Sequence, residues 1–472
     1  MQEVDIQALD PARLMELIGP VRAQEFETAA VAARRLLDGR RVVNVNSTAT
    51  GGGVAELLQT LLAYARGVGV DTRWHVIDGT SAFFDITKRI HNHLYGAPGD
   101  GGPLGPAEHV AYEEALRPNA DELLSVVAPG DIVLLHDPQT AGLAARLREE
   151  GARVVWRCHV GCDETNEHTA RGWEFLRPYL DDVEAFVFTR REFAPDWIDP
   201  ALVHVITPSL DPFAAKNQAL APEEVRGILV YTGLVADGGR EEPSTVFTRR
   251  DGSRGRVDRR VDVLQTGPPP PDDAPLLVQV SRWDRMKDMP GVMRAFADHV
   301  DRSHGAHLTL MGPSVHGVAD DPEGGSVLDE CVELWRSFPE AVRNRIHLAC
   351  VPMHDPDEVA IITNALQRHA AVVAQKSLAE GFGLTVLEAM WKHRPVVASR
   401  VGGITDQIVD GRHGLLIDDP TDLEAFGAAV GSLLADPVLA ARLGAAAYER
   451  AHAEFLGDRH LERYAALFLA LE

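Results

Sequence analysis

The segment Glu380-Gly-Phe-Gly-Leu-Thr-Val-Leu-Glu388 sets two carboxylates eight residues apart around a pair of glycines. Gly381 and Gly383 permit a tight loop with backbone amides turned outward, and a helix is predicted to begin near Leu384. Helix N-terminal amides suit a phosphate. A carboxylate beside a phosphate is repelled, so Glu380 and Glu388 read better as acceptors for hydroxyls of one elongated ligand. The other reading, a hydrolytic acid/base pair, needs a scissile bond shared between them. Ser281-Arg282-Trp283-Asp284 with Lys287 places two cations about one helical turn apart. They either hold a diphosphate from two sides or are two surface charges. Gly51, Gly52 and Gly53 form a phosphate cradle or a plain tight turn. They are not a dinucleotide fingerprint, because Glu56 stands where the third glycine of that motif would fall. His159 could reach a sugar, and His136 in LLHDP is similar; with 19 histidines in the chain, most are incidental. Cys158, His159 and Cys162 lie close together, but Cys331 and Cys350 form no second pair, so no metal site is expected.

The predicted elements put these groups at strand ends. Short apolar runs at Arg41–Asn46, Asp131–Leu135, Arg153–Trp156 and Ala185–Phe188 alternate with helical stretches, the pattern of βαβ units and a parallel sheet. The alternation resumes at Leu276–Val280, His307–Met311, Arg345–Leu348, Ala371–Ala374 and Pro395–Ala398. Between the two halves, residues 218–275 are rich in Gly and Arg and end in Pro268–Pro271, which favours a stiff spacer. Arg249, Arg250, Arg254, Arg256, Arg259 and Arg260 form a basic cluster there. It is either a solvated loop pairing with acidic surface or a ligand or subunit contact. The expected organisation is therefore a first domain over 1–217, an insertion and linker over 218–275, and a second domain over 276–455. An amphipathic stretch from about 456 to 472 packs back on the first domain. In open α/β sheets ligands bind beyond the carboxyl ends of the strands.

Composition narrows the function classes. The 472 residues are 45% apolar and 25% charged, the balance of a globular protein, and the net charge of −24 argues against nucleic acid and anionic membranes as partners. Met1–Pro20 lacks a basic flank followed by an apolar stretch, and no apolar run is long enough to span a bilayer. Four cysteines are too few for a disulfide scaffold, which points to a reducing, cytoplasmic setting.

The stretch from Glu380 to Ile404, EGFGLTVLEAMWKHRPVVASRVGGI, resembles the signature of glycosyltransferase family 4. VNSTATGGGVAELL, WRCH, the SRWD–K segment and HNHLYG are similar to a narrower group, the glycosyl-transferring trehalose synthases and the retaining trehalose phosphorylases. The resemblance runs from roughly Arg41 to Gly414. It implies a GT-B fold, an α/β architecture of two facing Rossmann-like domains with the active site in the interdomain cleft. Arg282 and Lys287 would neutralise the donor diphosphate, Glu380 would meet hydroxyls of the transferred sugar, and Glu388 the ribose. Backbone amides of Gly381, Phe382, Gly383, Leu384 and Thr385 would hold sugar and phosphate, with Gly52 and Gly53 approaching from the first domain. His159 would touch the donor sugar, and Asp78, Lys88, His91 and Asn92 would line the acceptor pocket.

The expected activity is retaining transfer of glucose from UDP-, ADP- or GDP-glucose to glucose, forming an α,α-1,1-linked disaccharide. The alternative within the fold is a phosphorylase using phosphate and glucose 1-phosphate. An epimerase or a non-catalytic sugar-binding protein fits less well. No cofactor or metal is required on this reading, though magnesium stimulation is compatible with it. Asp320-Asp321-Pro322-Glu323 reads as a loop. The expected partners are the small-molecule donor and acceptor, and a homodimer is compatible with the basic cluster. The Arg-rich segment is longer than the family's usual connection.

Overall fold

Strands covered by helices on both faces can be apolar throughout, and the valine-rich runs of this chain fold that way. The computed structural model describes residues 1–49, 52–239, 244–249, 252–315 and 322–471. Gly51, Arg250, Asp320 and Asp321, singled out above, lie outside them. The chain divides into two compact units: Met1–Leu210 with Glu380–Phe382 and Phe455–Glu472, and Asp211–Ala379 with Gly383–Glu454.

The first unit is built on β1 (Gln2–Glu3), β2 (Val42–Asn46), β3 (Thr72–Val76), β4 (Ile132–His136), β5 (Arg153–Cys158), β6 (Ala185–Phe188) and β7 (Val203–Val205). Their order is β1-β3-β2-β4-β5-β6-β7, and only β1 is antiparallel to its neighbour. The order changes direction between β2 and β4, a switch point beside which such sheets take their ligands. One face packs Trp156 and Phe188 against Ile90, Tyr112 and Trp173 of covering helices. The other packs Val42, Leu134 and Val187 against Ala33, Leu61, Tyr464 and Phe468.

Tyr464 and Phe468 belong to the C-terminal helix Gly457–Ala470, which joins the first unit as the amphipathic pattern predicts. An ion pair from Arg22 Nη2 to Asp458 Oδ2 (2.7 Å) fixes its start. Further along, Arg463 donates to the Thr207 hydroxyl, and His460 Nδ1 lies 3.0 Å from Ser209 Oγ.

The second unit carries β8 (Val246–Thr248), β9 (Arg254–Arg256), β10 (Asp262–Leu264), β11 (Leu276–Val280), β12 (His307–Pro313), β13 (Ile346–Val351), β14 (Val372–Gln375), β15 (Val396–Ser399) and β16 (Leu415–Ile417). Its main sheet runs β10-β13-β12-β11-β14-β15-β16, parallel except for β10, and switches direction between β11 and β14. The expected spacer over 218–275 is largely folded. It supplies helix Pro222–Thr232, the β8–β9 hairpin and the edge strand β10. The unit boundary accordingly falls at Leu210/Asp211, ahead of the expected 217. Arg249 pairs with Asp355 (Nη1–Oδ1 3.0 Å) and Asp357 (3.2 Å), and this guanidinium holds the Asp355 carboxyl down at about 2. Pro322 and Glu323, read as loop, open helix Pro322–Ser337, because a proline fits the first turn of a helix.

Among the described residues no single helix is long and apolar enough to cross a membrane. Truncating Phe468 to Ala should cost the first unit about 3 kcal/mol, as for other buried aromatic truncations. Denaturant unfolding followed by tryptophan fluorescence checks this; an unchanged first transition would mean the helix is only loosely docked.

Candidate functional site

In the second unit the groups singled out from sequence gather at its switch point. The loop after β11 carries Arg282, which is half-exposed and 3.2 Å from Asp284 Oδ2. Asp284 in turn caps the short turn Arg285–Lys287 by accepting from the Met286 amide (2.8 Å). The loop after β14 grips this turn. Leu378 N–H donates to the Met286 carbonyl (2.8 Å), and Gln279 bridges the two loops. Its Nε2 donates to the Lys287 carbonyl (2.7 Å), while its Oε1 accepts from the Lys376 amide (3.1 Å). Lys376 is fully buried, and its ammonium pairs with the Asp288 carboxylate. Asp288 sits at φ 44°, a left-handed conformation that costs an ordinary residue energy, and it caps helix Met289–His299 through Gly291 N–H (3.1 Å). Lys287 is thus fixed by a turn with both ends tied down.

Gly383, at φ 86°, occupies the left-handed region that favours glycine and starts helix Leu384–Trp391. The first-turn amides of that helix, from Leu384 and Thr385, lie where the helix itself offers no acceptor. Two side chains brace the turn. Gln407 Nε2, from the short helix Ile404–Gln407, donates to the Gly383 carbonyl (3.3 Å), and Thr385 Oγ1 donates to Gln375 Oε1 (2.7 Å). Glu388, one turn on, is buried: its Oε1 lies 3.4 Å from Lys216 Nζ, and its Oε2 accepts from Gln367 (3.2 Å). Lys392, fully buried beside it, is pulled down to about 7 by burial, against the opposing pull of Glu388.

In the first unit the corresponding strand ends carry polar groups under an apolar sheet. Gly52, at φ 90°, precedes helix Gly53–Gly67, whose N-terminal amides face the end of β2. Asn46 steadies this turn, donating to the Thr48 carbonyl (2.7 Å) and accepting from Trp74 Nε1 (2.8 Å). β4 ends in His136 and Asp137, the latter at φ 64°. β5 leads into His159, whose amide donates to Asp137 Oδ1 (2.7 Å). The His136 and His159 rings stack with centroids 5.5 Å apart. Burial pushes His136 down to about 3 and Asp137 up to about 7. Gly381, grouped with this unit, approaches His159 so closely that a β-carbon there would stand 2.6 Å from the His159 carbonyl oxygen. Only glycine fits. Phe382 packs its ring 5.9 Å from Phe455, and Glu380 beside it is buried.

The acceptor candidates come from one strand–helix connection. Lys88, His91 and Asn92 share a face of helix Ser81–Leu94 at i, i+3 and i+4. Asp78 lies on the loop ahead of it, with its side chain mostly exposed and 2.6 Å from the Met1 amino group. Sequence reasoning passed over Asp137, Arg157, Gln279, Asp288, Lys376, Gln407 and Tyr464. Those at φ above zero, Asp137 and Asp288, mark the two switch points through backbone strain, which no composition signal announces.

A family model described as the trehalose synthase N-terminal domain matches residues 44–195, and one for glycosyl transferases group 1 matches 264–450. Trehalose synthase from Rubrobacter xylanophilus is 36% identical over 443 residues, covering 92% of this chain and 91% of its own. This chain belongs to the trehalose synthase/phosphorylase group of family 4 glycosyltransferases. Trehalose phosphorylase from Pleurotus pulmonarius also matches this glycosyltransferase, at 25% identity over 84% of the chain but 52% of that protein. Among solved structures, the trehalose-6-phosphate synthase OtsA superposes with a TM-score of 0.65 at 14% identity, covering 92% of this chain and 99% of that one. The sucrose-phosphate synthase of Thermosynechococcus elongatus does so with 0.61 at 17%, covering 92% and 99%. These likenesses give the fold, GT-B, with a parallel sheet in each domain. The enzyme's chemistry is trehalose-related glycosyl transfer.

Replacing Lys376 by Met should destabilise the second unit by about 3 kcal/mol, because Asp288 loses its buried partner. A double-mutant cycle with Asp288→Asn should recover most of that loss. Additive losses would mean that the pair is not coupled.

Proposed function

We propose that the chain is a retaining glucosyltransferase that moves glucose from a nucleoside-diphosphate glucose to glucose, forming the α,α-1,1 linkage of trehalose. The observation that carries this reading is near full-length similarity to trehalose synthases, 36% identity over 91% of one relative and 32% over 89% of another, from Pyrococcus horikoshii. Cations and backbone amides at the strand ends suit a diphosphate donor. Arg282 and Lys287 face the pyrophosphate as the sugar–phosphate bond breaks, and cations fixed where charge develops stabilise the transition state most. Amides of Gly381, Phe382, Gly383, Leu384 and Thr385 take phosphate and sugar oxygens. Glu380 accepts hydrogen bonds from hydroxyls of the transferred glucose, and Glu388 from the ribose. From the first unit, Gly52 and Gly53 present amides, His159 contacts the transferred sugar, and Asp78, Lys88, His91 and Asn92 bind the acceptor.

The acceptor hydroxyl attacks on the face from which the phosphate departs, through an oxocarbenium-like state. The new C1–O bond forms as the C1–O–phosphate bond breaks, and the hydroxyl proton passes to the departing phosphate oxygen. No protein nucleophile takes part, and the reaction needs no metal; magnesium acts at most as a stimulant on the diphosphate.

A product assay tests the reading: glucose as acceptor, with UDP-, ADP- and GDP-glucose compared against glucose 1-phosphate. A non-reducing disaccharide with release of nucleoside diphosphate is expected. Product from glucose 1-phosphate alone would replace the synthase by a phosphorylase. Lys287→Ala and Glu380→Gln should each lower kcat by about 10²- to 10³-fold with the fold intact, the usual cost of one electrostatic contact to the transition state. Near-wild-type turnover in either variant would remove that residue from the mechanism.

A further inference from the structure

Arg157, at the carboxyl end of β5, is fully buried. Its Nε donates towards the His159 ring, 3.0 Å from Nε2 and 3.4 Å from Nδ1. Its Nη1 donates to the Tyr464 hydroxyl (2.9 Å), and its Nη2 to the Ile206 carbonyl (3.0 Å). Its remaining contact is also uncharged, the face of the Tyr464 ring 5.7 Å away. Among the described residues no carboxylate pairs with this guanidinium, although Asp137 lies near enough to be influenced by it. A buried cation without a counter-ion is costly. The fold keeps it pointed at one imidazole.

The geometry restricts what that imidazole can be. A guanidinium N–H only donates, so one of the two ring nitrogens it faces must carry a lone pair. An imidazolium has none, and protonating His159 would set N–H against N–H and one cation against another. The other groups around the ring fix which nitrogen that is. His136 Nε2 donates to Asn44 Oδ1 (3.1 Å), so its Nδ1 keeps a lone pair and accepts from His159 Nε2–H (3.2 Å), which leaves the lone pair of a neutral ring on His159 Nδ1, 3.4 Å from Arg157 Nε. His460 on the C-terminal helix adds to the resistance against a positive charge, and Tyr464 is uncharged. Asp137 faces the His159 backbone amide, and Tyr95 and Gly381 lie on its carbonyl side. Burial first, then Arg157, then His136, hold His159 well below the usual histidine range.

We propose that Arg157 is a positioning residue that locks His159 as a neutral imidazole, with the C-terminal helix setting the lock through Tyr464. Resting on the transferase reading above, this makes His159 a hydrogen-bonding contact for the sugar that exchanges no proton. The acceptor's proton is then left to the departing phosphate oxygen.

The test begins without turnover. Nitrogen-15 spectra of the histidine rings in the full chain, assigned with His159→Gln, are followed from pH 5 to 8. The His159 ring should stay neutral throughout. In Arg157→Met its titration should move upward, towards the ordinary value of about 6.5, with burial still holding it below. Should that variant fail to fold, Tyr464→Phe, which loosens Arg157 without removing it, should still move the titration upward. A wild-type His159 that titrates above pH 6, or an unchanged titration in both variants, overturns the proposal. Activity supplies the second readout. The kcat/KM profile of the wild type should show no limb that His159→Gln abolishes, whereas Arg157→Met should gain an acidic limb that a further His159→Gln removes. Asp137→Asn identifies any inflection near 7 as belonging to that carboxyl. A wild-type limb removed by His159→Gln would make His159 a proton carrier and refute the lock. A neutral ring in an enzyme inactive with every donor would instead refute the transferase reading and leave the lock standing.

Discussion

A parallel strand covered on both faces by helices can place a reactive side chain only where the strand stops. Every strand of the two main sheets apart from β1 and β10 is parallel to its neighbours, and their interiors are apolar. That constraint sorts the polar groups of this chain. Arg282, Lys287, Lys376 and Glu380 follow β11 and β14; His136, Asp137 and His159 follow β4 and β5. At each switch point neighbouring loops leave in opposite directions around the sheet and open a place where ligand can approach backbone. Gly52 and Gly383 take left-handed φ at these ends, and Gly381 leaves room for the His159 carbonyl oxygen.

The same strand ends concentrate buried positive charge in a chain whose overall charge is −24. Lys376 is matched by a carboxylate, Lys392 leans on Glu388 and the Asn217 amide oxygen, and Arg157 rests on neutral acceptors. The compensation therefore weakens from a full ion pair to none. Paired cations hold loops in place, and wholly uncompensated ones would unfold the unit.

Much of the fold was readable because β-branched runs and helical periodicity alternate so regularly. The nine strands expected from sequence are all present, with ends shifted by at most three residues. β3 was missed because Thr72-Arg-Trp-His-Val76 mixes polar and apolar residues, and its core position comes from tertiary packing of Trp74. The spacer over 218–275 was misread in part: its helix and strands are short, and Gly and Pro surround them. In the site, Glu380, Gly383 and Lys287 were legible through motif spacing. The residues that hold them were not. Gln279 is a lone amide within an apolar strand, Lys376 a lone amine just past the end of another, and Arg157 meets Tyr464 across 307 residues of sequence. Contacts of that range leave no local pattern.

That last separation bears on how the molecule is made. The first unit's core includes Tyr464, Leu467 and Phe468, so a nascent chain emerging from the ribosome cannot finish its first unit after Leu210. The part of one sheet face that Tyr464, Leu467 and Phe468 cover stays open while the whole second unit is synthesised. During that interval the exposed valine-rich strands are open to wrong pairings, a hazard for chains with delayed closure. The order of completion is inverted: the second unit can fold first, and the first unit closes last.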